Sequence, residues 1–491
     1  MKNLDRDWLA LYPAALRQGL AAVVGRLGFP LYPAGGAVRD WLAGNPCRDL
    51  DVTVPGGAVA CARDLARTLG GAFVPLDEEE GVARVVWQGH EVDFSDFREG
   101  TTSIEADLAR RDFTVNAMAV AFDPEKGGLA APYTIIDPTG GCEDFRRRLV
   151  RATSPGVFRA DPLRLLRAYR FVATLGFRLD GDTERLLATE IPLLARVAPE
   201  RILHELSAIM ASARAALAVS MMEESSLLWS IFPELRQGEG MAQPDSHHLD
   251  VFAHNRETLR CLEGLLADPA GRFPGHGPEM ADYLGSGRRA ERLKWAALFH
   301  DLGKPACQRL RNGRITFYNH DREGARQFAD VGRRLRLSRE AIREVCLFIE
   351  LHMWPFHLNN VRRKSGITPR ACLRLVKAVG EELPGLFLLA MADSLAGQGP
   401  DKPPGMEAEL ALLYDQVDRT YRESIKPVLE MERLLTGHDL IARFGLAPGV
   451  LVGKILKGLE GAQVAGDVST VEEARAWVAD FLAKRLRGKS D

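Results

Sequence analysis

The chain is short of cysteine: its 491 residues hold seven (47, 61, 142, 261, 307, 346 and 372), an odd number, scattered, with no Cys-x-x-Cys pair. That pattern argues against both a disulfide frame and a thiolate zinc site. Long apolar runs are missing too, since nothing approaches the ~18 continuous residues of a membrane-spanning helix. There is no excess of charge of either sign: 64 Lys and Arg face 66 Asp and Glu. A chain without a global basic field must gather any nucleic-acid contact into a local patch. Met1 to Asp7 carries charges where a secretory leader has an apolar core, so the expected location is cytoplasmic. What is present is an ordinary globular balance, 46% apolar and 26% charged, which excludes wholesale disorder. At roughly 100–200 residues per domain, the length predicts about three or four domains.

The first 150 residues mix short strand patterns with turns. Leu50–Val54, Val82–Trp87, Val92–Phe94 and Tyr133–Asp137 read as strands, and Ala58 to Leu69 has helical spacing. From Pro162 onward the strand signal fades, and a helical pattern runs to about residue 400. Gly397 to Gly405 is a Gly- and Pro-rich break, followed by a small helical tail. The expected organisation is α+β: a head (1–150), a helical neck (151–238), a third, histidine-bearing helical region (239–400) and a helical tail (405–491).

Gly35-Gly36-Ala37-Val38-Arg39-Asp40 follows an apolar segment and opens an expected helix. Paired glycines let the backbone approach a polyphosphate, the helix N-terminus supplies N–H donors, and Arg39 adds a guanidinium fork. Ten residues on, Asp49-Leu50-Asp51 places two carboxylates on one face of a strand. Carboxylates at that spacing suit a pair of Mg²⁺ ions roughly 3.5–4 Å apart, the arrangement for in-line phosphoryl transfer. Asp161, Arg164, Arg167 and Arg170 recur every three residues, with Pro162 placed to start a helix. Carboxylate and guanidinium side by side match the amine and acceptor edge shared by C and A, and oppose that of U and G.

These blocks resemble the class II tRNA nucleotidyltransferase (CCA-adding enzyme) and bacterial poly(A) polymerase family, a branch of the DNA polymerase β superfamily. The resemblance continues through Arg110-Arg111-Asp112-Phe113-Thr114, Asp137 to Asp144, Arg159 to Phe171 and Glu200 to Leu206. It implies a nucleotidyltransferase head in which Asp49 and Asp51 are catalytic and bind Mg²⁺. It further implies that Gly35, Gly36, Arg39, Arg111, Asp161, Arg164, Arg167 and Arg170 hold CTP or ATP while tRNA supplies the attacking 3′-hydroxyl. Two departures stand out. The family's usual Glu before this Asp is Ala160, and the segment from Phe97 to Arg111 is short where full CCA-adding members commonly carry a longer flexible loop. A CC-only, an A-only and a poly(A)-adding enzyme therefore stay as alternatives to full CCA addition.

His254, His300-Asp301 and Asp393 stand in the order H…HD…D and resemble the HD superfamily of metal-dependent phosphohydrolases. His320 and His352 occupy places where extended HD sites sometimes add ligands. Imidazole with carboxylate suits a divalent metal such as Mn²⁺, Ni²⁺ or Mg²⁺ that activates water against a phosphoester. A rival reading makes that site the working one, with the head only binding nucleotide or RNA. Arg147, Arg148 and Arg151 lie in the most basic stretch of the chain and are the expected RNA contacts; the tail is a further candidate for tRNA contact.

Overall fold

The computed structural model describes residues 3–4, 8–45, 49–122, 133–244 and 246–487. Two compact units emerge: residues 1–214 with 221–231, and residues 215–220 with 232–491.

The first unit is built on a five-stranded sheet. Its strands are β1 (Tyr32–Pro33), β2 (Asp49–Val54), β3 (Ala72–Asp77), β4 (Val82–Trp87) and β5 (His90–Asp96), in the spatial order β1-β2-β5-β4-β3. All neighbours are antiparallel except β2 and β5, whose parallel register sets Asp51 opposite Asp93. Along the first part of β2 the residues alternate, Leu50 and Val52 buried and Asp49 and Asp51 exposed. Helix α1 (Ala14–Leu27) packs on α3 (Ala58–Leu69), while α2 (Gly36–Leu42) follows β1. Helix α3 buries Ala58, Cys61, Ala62, Leu65 and Ala66, the stripe expected of a helix laid on a sheet, here on β4 and β5. Each large apolar side chain fully buried there contributes roughly 1.5–3 kcal/mol. Every strand and helix expected in this region forms.

Helix α4 (Arg164–Leu175) and α5 (Pro199–Ala211) pack together within the same unit. One face of α4 buries Leu165, Leu166, Tyr169 and Phe171, leaving Arg164, Arg167 and Arg170 on the other. Asp161 is not on the helix with them. It precedes Pro162, which disfavours helical backbone in the residue before it, and Asp161 is extended (φ −145°, ψ 102°). Pro162 opens a tight first turn through Leu165 N–H to its carbonyl (3.1 Å). A short parallel pairing within this unit, Leu149–Val150 at the end of the head with Arg178–Leu179 of the neck, is not announced by the sequence pattern.

The second unit is helical around α6 (Val251–Ala267), α7 (Arg289–Phe299), α8 (His320–Arg334), α9 (Arg339–Leu351) and α10 (Leu383–Ala396). Helix α10 is buried on all sides and packs against α6 and α7. Between α7 and α8 the chain forms a hairpin, β6 (Arg309–Arg311) with β7 (Arg314–Thr316). Its two central residues, Asn312 (φ 50°) and Gly313 (φ 75°), both take positive φ, as a two-residue primed turn requires. The expected linker at 397–405 is tied back, since Lys402 Nζ donates to the Ser394 carbonyl (2.5 Å). Beyond it, Leu435, Leu440, Val452, Ile455, Leu459 and Val478 form a separate small core. Among the described residues no helix is long and apolar enough to cross a membrane.

Candidate functional site

In the first unit, a cavity of about 440 Å³ opens over the sheet, bordered by Gly35, Gly36, Asp51, Asp93, Arg111 and Arg164 among others. Gly35 takes φ +69°, and a Cβ there would fall 2.9 Å from Arg111 Nη1 and 3.6 Å from Asp51 Oδ2. Glycine is what lets the start of α2 lie against both charges. Although Asp51 opens onto the cavity, the surrounding protein desolvates its carboxylate and raises its pKa above the ordinary value; Arg111 opposes this, and the charges of Asp93 and Asp49 add to it. Asp51 and Asp93 thus border the cavity together, while Asp49, expected beside them, is not among the bordering residues although its charge is felt at Asp51. Carboxylate oxygens of this kind suit a hard divalent cation. Asp93 is held by Arg84 through two hydrogen bonds, Nε to Oδ1 at 2.7 Å and Nη2 to Oδ2 at 2.8 Å.

Arg111 is buried, and burial together with repulsion from Arg98 brings its pKa down to about 10 despite Asp107 and Asp51. It remains a cation at neutral pH. The fully buried Asp107 serves two arginines, accepting from Arg111 Nε (3.3 Å) and from Arg98 Nη1 (3.1 Å), and it also accepts from the Arg98 backbone N–H (2.9 Å). The short segment from Phe97 to Arg111 is therefore pinned at both ends by one side chain.

The same cavity is bordered by Asp161, Arg164 and Arg201. Asp161 accepts from the Leu163 N–H (3.1 Å) and from Arg201 Nη2 (2.9 Å), so its ion-pair partner is Arg201 and not Arg164. Arg164 points its Nη1 at the Val157 carbonyl (3.4 Å). Arg167 borders the cavity but is bonded to Asp112 Oδ2 (2.6 and 2.9 Å) and to Glu205 (3.3 Å). Arg170 pairs with the other oxygen of buried Glu205 (2.9 Å) and stacks on Phe171. Arg39 bonds to Asn116 Oδ1 (2.7 Å) and Asp40. The arginines read from the sequence as nucleotide ligands thus divide: Arg111, Arg164 and Arg167 border the cavity, Arg167 while bonded to Asp112 and Glu205, and Arg39 and Arg170 are not among the bordering residues and brace its walls.

The basic stretch is similarly divided. Arg147 pairs with Glu143 (2.8 Å) and stays exposed, and Arg148 is exposed at the end of its helix. Arg151 is committed to Asp144 (3.0 Å) and Asp180 (3.0 Å). Asp93, Arg98, Arg201 and the Asp112–Glu205 pair escaped the sequence reading. The signal for Asp93 was an acid standing between two buried strand residues, Val92 and Phe94.

In the second unit, side chains from five places converge. His254 lies on α6, His300 and Asp301 in the turn after α7, His320 at the first turn of α8, His352 just past α9, and Asp393 on the buried α10. His254 Nε2 is 3.0 Å from Asp393 Oδ1, His300 Nε2 is 3.3 Å from Asp301 Oδ2, and His320 Nε2 is 3.3 Å from Asp301 Oδ1. A Cβ at Gly303 would lie 2.1 Å from the His320 carbonyl, so glycine permits this close approach of turn and helix.

The Nδ1 atoms of His300, His320 and His352 each face a backbone carbonyl three residues back, at 2.9, 2.7 and 2.7 Å. A carbonyl can only accept, so Nδ1 carries a proton in each ring, and where the ring is neutral Nε2 turns its lone pair inward. At His300 burial favours the neutral ring, but Asp301 and Asp393 outweigh it and raise the pKa. Burial, with repulsion from His300 and His320, brings the His352 pKa down to about 3, which keeps that ring neutral. Burial works against Asp301, yet Lys304, whose Nζ is 2.5 Å away, and His300 hold its carboxyl well below the ordinary range. Inward lone pairs beside ionised carboxylates fit a divalent cation. Two groups can be distinguished, His254–His300–Asp393 and Asp301–His320–His352. All four expected ligands meet there, and His320 and His352 join them. His247, against the His254 ring (4.6 Å between centroids), was not expected from the sequence.

Both units have counterparts among known proteins. Residues 31–151 match the Poly A polymerase head domain, 176–238 the "Probable RNA and SrmB- binding site of polymerase A", and 275–396 the HD domain. An A-adding tRNA nucleotidyltransferase from Deinococcus radiodurans is 37% identical, covering 90% of this chain and 94% of its own length. A CC-adding tRNA nucleotidyltransferase from Geobacter sulfurreducens is 40% identical, covering 97% of both. The solved complex of the Thermotoga maritima CCA-adding enzyme with tRNA is similar in fold, with TM-score 0.64, 23% identity and 96% of each chain covered.

Proposed function

Because this chain belongs to the tRNA nucleotidyltransferase and poly(A) polymerase family, we propose that it adds C, A or both to the 3′ end of tRNA from CTP and ATP, releasing pyrophosphate. The observation that carries this reading is that Asp51 and Asp93 border one cavity with the Gly35–Gly36 turn, Asp161, Arg164 and Arg201, with the charge of Asp49 acting on Asp51 from beside it. Asp49 and Asp51 are the residues to hold Mg²⁺, which when bound would neutralise the triphosphate and ease deprotonation of the attacking hydroxyl. The first turn of α2 offers backbone N–H groups to phosphate, and Arg111 adds a fixed cation whose burial Asp107 already offsets. Asp161 retains acceptor capacity for an exocyclic amine, and Arg164 donates to the adjoining acceptor of C or A. Arg167, Arg170 and Arg39 position that pair through Asp112, Glu205 and Asn116. Arg147 and Arg148 meet tRNA phosphates, with the tail from residue 405 as a further contact. The head, neck, HD and tail regions fall at 1–150, 151–238, 239–400 and 405–491.

A narrower repertoire, CC alone, is the second reading. It is favoured by the short Phe97–Arg111 connection pinned by Asp107, and by relatives named CC-adding from Geobacter sulfurreducens and Thermus thermophilus, the latter 34% identical. The test supplies tRNA transcripts ending at the discriminator, at C or at CC, each with one labelled nucleotide. A ladder stopping at CC selects the second reading, and a single A added only to the transcript ending in CC selects an A-adding enzyme like the Deinococcus radiodurans relative. Open-ended A addition selects a poly(A) polymerase, and no incorporation into any transcript overturns the transferase reading.

The histidine cluster supports a second activity, metal-dependent phosphoester hydrolysis. A divalent ion such as Mn²⁺, Ni²⁺ or Mg²⁺ held by His254, His300, Asp301 and Asp393 would supply a Lewis acid and an activated water. Lys304, beside Asp301, is placed to meet the phosphate. Hydrolysis of a phosphomonoester that survives His300→Ala and Asp301→Ala would overturn this assignment.

A further inference from the structure

The hairpin between α7 and α8 lies beside the histidine cluster and has no part in the sites above. The cavity of about 460 Å³ that contains Asp301, His320 and His352 is bordered by Tyr318 and Asn319, and the same two residues border an adjoining groove of about 710 Å³. That groove carries Arg309, Arg311 and Arg322. Among the described residues, Arg309, Arg311 and Arg314 reach no carboxylate within ion-pair distance, in a protein whose other arginines are mostly paired. Arg322 has only a long contact of 3.9 Å to Glu350. Tyr318 is 65% exposed, and Arg311 stacks on its ring at 5.1 Å, holding one face and leaving aromatic surface to solvent.

A phosphomonoester alone needs only the metal pocket and Lys304. Guanidinium groups lead away from that pocket: among the described residues, Arg311 and Arg314 have no carboxylate partner, Arg309 is bonded only to the Gln308 carbonyl (2.7 Å), and Arg322 is held only by its long contact. Such groups suit a run of phosphates, and an exposed ring at the mouth of the pocket suits a stacked base. We propose that the Arg309–Arg314 hairpin with Tyr318 and Arg322 is a binding surface for single-stranded RNA, which delivers a terminal 3′-phosphoryl group to the histidine cluster. Tyr318 stacks the terminal base, and the arginines track the phosphates behind it. This rests on the phosphohydrolase reading of that cluster, and its direction follows from the groove meeting the pocket at Tyr318 and Asn319. The primed turn at Asn312-Gly313 keeps the hairpin tight, so its arginines are presented on a preformed element.

The test uses full-length protein with Mn²⁺ and an oligoribonucleotide of about 12 residues, within the span of a single-strand site. The oligoribonucleotide ends in 4-thiouridine 3′-phosphate. Hydrolysis of its terminal phosphate is compared with that of p-nitrophenyl phosphate, in wild type and in Arg309→Glu/Arg311→Glu/Tyr318→Ala. The ratio of kcat/KM for RNA over the small ester falls at least ~10-fold in the variant, and the salt slope of log KM flattens by about 0.7 for each arginine–phosphate pairing removed. Irradiation of wild type attaches the probe within residues 309–322. An unchanged ratio and an attachment elsewhere overturn the RNA surface even if both substrates are hydrolysed. Attachment at 309–322 without hydrolysis of either substrate upholds the surface and overturns the phosphohydrolase reading instead.

Discussion

Asp112 offers the sharpest test of how the nucleotide cavity is held. Its Oδ2 takes two hydrogen bonds from Arg167, at 2.6 and 2.9 Å, while Oδ1 accepts from the Phe113 N–H (2.8 Å) and from Asn116 Nδ2 (3.3 Å). Burial alone would raise its pKa, but the Arg167 charge and these donors outweigh burial and lower it. In Asp112→Asn the amide oxygen can keep the Phe113 and Asn116 bonds, which turns the –NH₂ group toward the guanidinium, donor against donor. Removing one partner of a fully buried pair typically destabilises by about 3–5 kcal/mol. Arg167 keeps Glu205 at 3.3 Å and is 29% exposed, which moves the expectation to about 2–3 kcal/mol. For a unit of this size that is a fall of about 4–12 °C in Tm. The sign of the pH dependence follows from linkage. A carboxyl whose folded pKa lies below its unfolded 3.8 stabilises above 3.8, and that stabilisation is lost as pH falls through the folded value. Urea unfolding of wild type and variant should therefore show a gap that is full at pH 7 and closes below about pH 4. A gap below about 0.5 kcal/mol at pH 7, or one that stays constant down to pH 3, would refute the ion-pair argument.

Asp51→Asn should lower nucleotide incorporation at least ~10³-fold, equivalent to about 4 kcal/mol of transition-state stabilisation, without lowering Tm. The raised Asp51 pKa means its ionisation opposes folding at neutral pH, so a drop in Tm would contradict the carboxylate crowding. Gly35→Ala places a β-carbon 2.9 Å from Arg111 at φ +69°, a strain of about 1–2 kcal/mol, and should raise the KM for CTP and ATP; an unchanged KM would show that the turn does not meet the triphosphate. Chelation should abolish incorporation and phosphoester hydrolysis together. Mg²⁺ should restore incorporation, and a titration with Mn²⁺ or Ni²⁺ should restore hydrolysis; hydrolysis persisting in chelator would remove the metal from the histidine cluster.

Much of this architecture is legible in the sequence because local pattern and tertiary demand agree. The alternation of Leu50 and Val52 with Asp49 and Asp51, and the buried stripe of Ala58 to Ala66, are set by which faces meet the core. The order of His254, His300-Asp301 and Asp393 is readable too, but their meeting with His320 and His352 is made by five separate segments. Three-residue spacing carries Asp161 onto the arginine helix, whereas the proline that follows holds it extended. Asp93 shows in the sequence only as an acid between two apolar strand residues, because its role comes from facing Asp51 across a parallel ladder, which spacing along one strand does not reveal. The hairpin at Arg309–Thr316 carries its signal in Asn312-Gly313, overshadowed by long helical periodicity on either side.

The parallel pairing of β2 with β5 has an evolutionary reading. Main-chain hydrogen bonds fix where Asp51 and Asp93 stand relative to each other, so most side chains around them can be exchanged without moving either acid. A single-residue insertion or deletion inside either strand is different, because it turns one acid to the opposite face of the sheet. Descendants of this chain are therefore free to drift in composition along these strands, while length changes are confined to the turns that join them.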